Sequence, residues 1–229
     1  PRERNFWSGS VSIGSTVRSG NSDQSDGSTL LNLNRRALVT RWDSSASINY
    51  AESGGEKTQE SQRYTSKFDR FFTRNLFVTF AEYEYFRDPF QNIRQRQTPG
   101  AAFGYDMYLK KIEFDVSAGA AWQFLQYESV EAGAEREVDG WVGRFSANAD
   151  WDITADIELG ASYSINVPFE DGNFYTSNLL STLSMDLWWN FELDFTFAWD
   201  RQNSPQANAD GVTPEKNDYR LTTGIGWDF

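Results

Sequence analysis

The sequence predicts an all-β fold, a closed antiparallel up-and-down transmembrane β-barrel of about 12 strands, and three observations carry that prediction. About a dozen segments alternate apolar and polar residues with period two, most of them roughly 11 to 16 residues long, with no helical stretch between them. The connections alternate between short and long, and Trp and Tyr gather at the segment ends. Side chains of a strand point alternately to opposite faces, so each segment has an apolar face and a polar one. Globular strands commonly run about five or six residues, whereas a strand tilted across a bilayer needs about 9 to 11.

In order, the first segment, 6–18, leads through "SGNSDQSDG" to 28–41, which turns at "RWDS" (41–44) into 42–52. The polar stretch "ESGGEKTQE" then leads to 60–72, "FTRN" (72–75) turns the chain into 74–87, and "RDPFQNIR" connects it to 94–109. "YLKK" (108–111) opens 110–127, "ESVEAGAEREVDG" leads to 138–152, and "DITA" (152–155) opens 154–167. "VPFEDGNF" precedes 175–189, "WWN" (188–190) turns into 190–201, and "RQNSPQANADGVTPEKND" reaches the last segment, 217–229. Tight turns at one end and long polar loops at the other are the pattern of an outer-membrane barrel, with periplasmic turns and extracellular loops. No Pro/Ser-rich linker divides residues 1–229, so one domain is expected.

The segment "NFELDFTFAWD" (190–200) alternates without a miss: Phe191, Leu193, Phe195, Phe197 and Trp199 against Glu192, Asp194, Thr196, Ala198 and Asp200. In 217–229 the odd residues from Tyr219 to Phe229 form a similar apolar face. These odd faces are expected to meet lipid and the acidic faces an aqueous lumen. Replacing Asp194 with Arg is therefore expected to be far milder than replacing Phe195. A soluble barrel would be inside out and would have to bury a great many bulky aromatics in a narrow space. Trp7, Trp42, Trp151, Trp188, Trp189 and Trp227 fall near short turns or termini, and Trp122, Trp141, Trp199, Tyr85, Tyr175 and Tyr219 toward the long loops. Two belts of this kind suit the two membrane interfaces.

Composition removes several alternatives. No stretch approaches the roughly 20 consecutive apolar residues of a membrane helix, and the mean hydropathy of -0.62 is that of a polar chain. A barrel strand needs an apolar residue only at every second position, so these facts leave a membrane barrel open. There is no Cys and no His, which rules out disulfides, thiolate metal sites and Ser-His-Asp or Cys-His catalysis. No enzyme activity, catalytic residue, cofactor or metal is expected. The formal charge of -12 argues against nucleic acid as a partner. Asp23 and Asp26 have the look of a loose calcium loop, but their spacing does not match a calcium-binding hand and the reading is a solvated acidic loop.

The pair Gly20–Asn21 in "VRSGNSD", the stretch "RDPFQNIRQRQTPGAAFGY" (87–105) with Asp88, Phe90, Ile93, Arg96, Gly100, Gly104 and Tyr105, and the aromatic end resemble the salt-induced outer membrane protein family, also called YdiY-like. The resemblance covers nearly the whole chain. It implies an outer-membrane barrel of unknown function and a link to salt or osmotic response, and it carries over no catalytic residue. Phe229 resembles the C-terminal aromatic by which such barrels are recognised for insertion.

Assigning one parity of each segment to the lumen gives two charged zones. An acidic periplasmic vestibule is expected from Asp43, Asp69, Asp106, Asp150, Asp156, Asp186 and Asp228, with Glu113, Asp115, Glu158, Glu192 and Asp194. A mid-height constriction is expected from Arg36, Arg63, Arg96, Arg144 and Arg220, with Lys67 near them and Glu82 and Glu84 opposing. Gly100, Ala102 and Gly104 form a smooth inner stripe that leaves room for solute or accommodates a bulky neighbour. The expected function is a narrow channel or passive conduit for small hydrophilic solutes or ions, formed by a monomer in outer-membrane lipid. The alternative is a plugged structural or surface-interaction barrel. A basic waist would favour anions more than the net charge suggests.

Overall fold

A computed structural model describes residues 6–18 and 24–229. Among them are twelve strands: β1 Trp7–Arg18, β2 Gln24–Arg36, β3 Thr40–Ser53, β4 Glu56–Phe71, β5 Leu76–Asp88, β6 Ile93–Leu109, β7 Ile112–Tyr127, β8 Glu137–Asp152, β9 Ile157–Pro168, β10 Thr176–Asp186, β11 Phe191–Gln202 and β12 Asn217–Asp228. Each pairs antiparallel with its chain neighbours, and β1 closes on β12. Closure satisfies the backbone N–H and C=O groups that an open edge would leave unpaired in hydrocarbon.

Two turns differ from the sequence reading. The first short turn lies at 37–39, not 41–44, so β2 ends at Arg36 and Arg41 belongs to β3. The expected loop 52–60 is a two-residue hairpin instead. Gly54 and Gly55 take φ values of 62° and 82°, the positive pair that a tight hairpin requires. The first long loop, with Gly20, Asn21 and Asp23, lies outside the described residues; Asp26 is part of β2.

Register decides which side chains face inward. On β11 and β12 the odd residues point outward, and Asp194, Asp200, Gly224 and Gly226 of the even rows are buried. The outward face is apolar along much of its height, with Leu221 76% exposed, Ile13 and Ile225 exposed on the same side of the barrel, and Phe103 exposed on β6 across the ring. Aromatic pairs stand at both ends: Trp7 and Trp42 pack edge to face at 5.4 Å, and Trp122 meets its cross-strand partner Trp141 at 5.5 Å. A bulge in β5 breaks the alternation. Asp69 pairs with Thr79 but Phe68 with Ala81, so Phe80 is an extra residue. The inward row therefore changes from Phe77 and Thr79 to Glu82, Glu84, Phe86 and Asp88, because one inserted residue reverses the parity of everything after it.

The small inner stripe of β6 serves its neighbours. A Cβ on Gly104 would stand 2.1 Å from Cζ of Phe77, its register partner on β5, and one on Gly100 would stand 2.7 Å from Cβ of Ala121. Glycine here admits the Phe77 ring. Replacing Gly104 with Ala is expected to destabilise the barrel by about 1 to 3 kcal/mol through overpacking. A denaturant titration in lipid vesicles checks this, with Gly140→Ala as control because nothing lies within 4 Å of a Cβ there.

Candidate functional site: the charged lumen

The lumen is divided lengthwise. Its β3–β8 side is packed with ionic clusters, and the wall from β9 through β12 and β1 to β2 is lined largely by hydroxyl, amide and carboxylate side chains.

The waist is organised on Glu84, which is 2% exposed. Its Oε1 accepts from Arg63 at 2.7 Å and Arg96 at 2.9 Å, and its Oε2 from Arg144 at 2.9 Å. Arg144 also donates to Glu82 at 2.8 Å and to Asn166 at 3.0 Å. The other end of Arg63 reaches Asp200 of β11, nearly opposite on the ring, which also pairs with Arg220 at 3.4 Å. Arg220 in turn donates to Ser61 of β4 at 2.5 Å. Together these residues form a bar of ion pairs across the lumen. Phe86 supports it, with the Arg63 and Arg96 guanidinium carbons 4.1 and 5.0 Å from its ring centroid, a cation–π arrangement on an inward aromatic. Such forks need both direction and charge from their partners, which suits Arg better than Lys.

The structure brings Arg63, Arg96, Arg144, Arg220, Glu82 and Glu84 of the sequence reading together and sets Arg36 apart from them. With the turn at 37–39, Arg36 ends β2 at the short-turn rim, 46% exposed in its side chain, where it pairs with Glu113 and Tyr108. The waist thus sets four guanidiniums against Glu82, Glu84 and Asp200, with Asp218 also 3.9 Å from Arg220, so that its charges balance. Asp200 is recognised as inward by its parity, but its role as the far anchor depends on β4 facing β11.

A second cluster below the waist was missed because the turn was drawn through its centre. Arg41 contacts Asp69 at 2.7 Å, Asp106 at 3.1 Å, Asp43 at 3.3 Å and Asp115 at 3.8 Å, and its guanidinium carbon lies 4.8 Å from the Phe77 ring centroid. Lys67 belongs here too, 3.4 Å from Asp115. Asp69 and Asp106 are wholly buried in this cluster and do not line open vestibule. The outward position of Trp42, which places its neighbours inward, was the available signal.

The vestibule is a cavity of about 680 Å³ reaching from the waist to the short-turn end. Ten carboxylates and five cations line it, including the expected Asp43, Asp150 and Asp228. Its acidity is one-sided. Among the described residues, no Lys or Arg pairs with Asp150, Glu158, Glu192, Asp194 or Asp228 on β8, β9, β11 and β12. Asp156 is a correction: it stands in the turn before β9, off the lumen wall. Asp186 ends β10 exposed at the rim, outside the cavity. Phe229 packs outside, exchanging backbone bonds with Gly9 at 3.0 and 3.1 Å, which completes the β1–β12 closure at this end.

The long-loop end is not the water-filled passage that a simple polar lumen implies. Phe86, Ile93, Leu125 and Tyr127 form an inward apolar cluster with Val130. Beside it Pro89–Gln91 makes one 3-10 turn, capped by Asp88, whose Oδ1 accepts from the backbone N–H of Phe90 and Gln91 at 3.0 and 3.2 Å. Gln202 donates to the Gln91 carbonyl at 3.1 Å, and Asn92 donates to the carbonyls of Ser129 and Gln206 at 2.9 and 3.1 Å. These bonds tie three loops together. The stretch 87–105, singled out in the sequence, therefore builds both a lid contact at Asp88 and a waist contact at Arg96.

The same architecture is found in solved structures. The chain is similar to the NanC porin, with 10% identity and a TM-score of 0.54 over 96% of this chain and 98% of that one, which shows the fold. Weaker likenesses are to the translocator domain of the autotransporter NalP from Neisseria meningitidis (8% identity, TM-score 0.48, 97% and 87% covered) and to a bacterial polysaccharide outer membrane secretin (7% identity, TM-score 0.43, 99% and 98% covered). No curated protein matches the chain. Residues 11–229 match the family described as "Protein of unknown function, DUF481", and the chain belongs to that family.

Proposed function

We propose that this chain is a monomeric bacterial outer-membrane barrel and a narrow conduit for ions and small hydrophilic solutes, without enzymatic activity. In this reading the short turns face the periplasm, the long loops lie outside the cell, and Phe229 serves barrel insertion. We further propose that it belongs with the salt-induced barrels and acts in the salt or osmotic response. Support for the location comes from the apolar outward face, the aromatics at both ends and the porin-like fold.

The observation that carries the conduit is a second cavity of about 60 Å³ that adjoins the vestibule beside the ion bar, the two sharing Ser12, Leu30, Arg63, Asn178 and Leu180 as lining residues. Planar-bilayer recording of the purified protein tests it: reproducible current steps support conduction. Silence after verified insertion supports the second reading, a sealed barrel that displays its loops, which the Arg63–Asp200 connection across the lumen favours.

Selectivity gives a sharper test. The field at the narrowest point outweighs charge screened over about 8 to 10 Å, so the guanidiniums gathered at the waist favour anions more than the acidic vestibule suggests. Converting both Arg96 and Arg144 to Ser leaves the waist with a net negative charge. The reversal potential under a salt gradient is expected to move toward cation preference. No movement would remove the waist from the mechanism.

A further inference from the structure

The seam that closes the barrel is paired over only part of its height. Gly9 exchanges backbone bonds with Phe229 at the short-turn end, and rungs continue from Ser10↔Asp228 to Gly14↔Gly224. Among the described residues the β1–β12 ladder ends there, although β1 goes on pairing with β2 to Arg18↔Gln24 and β12 with β11 to Arg201↔Asn217. Two facing strand edges are thus left without rungs, from Ser15 on β1 and from Thr223 on β12 toward the long loops. Thr223 is the register partner of Phe195, near the middle of β11. In the orientation proposed above, the unpaired stretch therefore begins at mid-height and lies level with the outer leaflet. The two sides of this seam differ in chemistry. Outside, Ile13, Leu221 and Tyr219 are exposed. Inside, the cavity of about 60 Å³ touches both edges, through Ser12 of β1 and Thr222 and Gly224 of β12. Arg63, Asp200 and Arg220 also line it and pair among themselves.

We infer that this seam binds a neutral single-chain amphiphile of the monoacylglycerol kind, its head in the inner cavity and its chain passing between β1 and β12 into the outer leaflet. Backbone N–H and C=O groups on a strand edge need hydrogen-bonding partners wherever hydrocarbon excludes water, and a head rich in hydroxyl and ester oxygens supplies them. The charges around the cavity already match one another, so a charged head would lose its hydration without gaining a free counter-charge. A neutral head needs only hydrogen bonds, which the hydroxyls of Ser12 and Thr222 and the amides of Asn49 and Asn178 can make. The cavity has room for a few waters, which limits the head to a few heavy atoms. The chain leaves beside Ile13 and Leu221, where apolar surface already meets lipid. Because the same cavity adjoins the vestibule, a bound head also stands in the proposed conduit and narrows it.

The test uses a monoacylglycerol carrying a diazirine on its chain close to the head, added to the full chain in lipid vesicles, photolysed and mapped by peptide mass spectrometry. Labelling is expected to concentrate on β1 and β12 around Ile13 and Leu221. The native chain has no Cys, so Ser15→Cys/Thr223→Cys places a single staple one rung above the last pair. Joining the two thiols with a short bis-methanethiosulfonate after insertion is expected to abolish the seam labelling, and reduction to restore it, so the folded protein is its own control. If the staple variant does not insert, Thr222→Leu, which fills the head end of the cavity, should cause the same loss. Labelling spread evenly around the outward face and indifferent to the staple would mean ordinary boundary lipid and overturns the site. Labelling within the vestibule that survives the staple would mean entry from the short-turn end and overturns it too. In planar bilayers the same amphiphile should lower the current of the reduced protein and not of the stapled one. A silent bilayer with seam labelling intact overturns the conduit and leaves the seam site standing, whereas steady current without seam labelling does the reverse.

Discussion

Replacing Glu84 with Gln is expected to cost the folded barrel about 3 to 5 kcal/mol, the usual penalty for removing one partner from a buried ion pair. Three guanidiniums converge on this carboxylate, and among the described residues Arg96 has its ion pair with Glu84 alone, at 2.9 Å. Gln presents one acceptor oxygen and no charge, so the positive groups would face one another across a gap shielded from water. Glu82→Gln is the control: among the described residues its ion pair is with Arg144, which keeps Glu84 and Asn166. A reversible unfolding titration in lipid vesicles should rank Glu84→Gln well below Glu82→Gln. Equal midpoints for the two would mean that the bar is held by the barrel wall and contributes nothing to it.

Replacing Phe195 with Arg, near the middle of β11 on its outward face, is expected to destabilise by about 2 to 4 kcal/mol, the cost of a cation facing hydrocarbon near the bilayer centre. The lumen-side comparison has to be chosen with care. Asp194 looks from sequence like a tolerant site, but it accepts from Ser184 at 2.7 Å, and its Oδ2 lies 2.6 Å from where a Cβ on Gly226 would stand. An Arg there meets crowding as well as lost bonding. Glu192, half-buried on the vestibule wall, is the better partner, and Glu192→Arg should change the unfolding free energy little because it places a cation among unpaired carboxylates. Similar penalties at 192 and 195 would refute the assigned inside and outside.

Much of this was legible because alternation is a local property. The rows of β11 and β12 declare their two faces residue by residue, and the waist set from Arg63 to Arg220 follows from parity alone. Arg36 and Arg41 were misplaced because moving the turn from 41–44 to 37–39 relocates both, and nothing within "RRALVTRWDS" marks Ala37–Val39 as the turn more strongly than the residues after it. Leu38, 97% exposed, is a poor advertisement for a turn. The inward Phe77 and Phe86 were hidden by the bulge at Phe80, where the parity on either side of one residue disagrees.

The amino-acid order by itself determined that this chain forms twelve long antiparallel strands with an apolar outside and a charged inside, because a period of two and the turns between segments are written within a few residues of each other. Only the closed barrel decided which charges meet. Arg63 and Asp200 are 137 residues apart in the chain, and their contact depends on strand number, register and bulges acting together to bring β4 opposite β11. The pairing that crosses the lumen is a property of that ring and of no single strand.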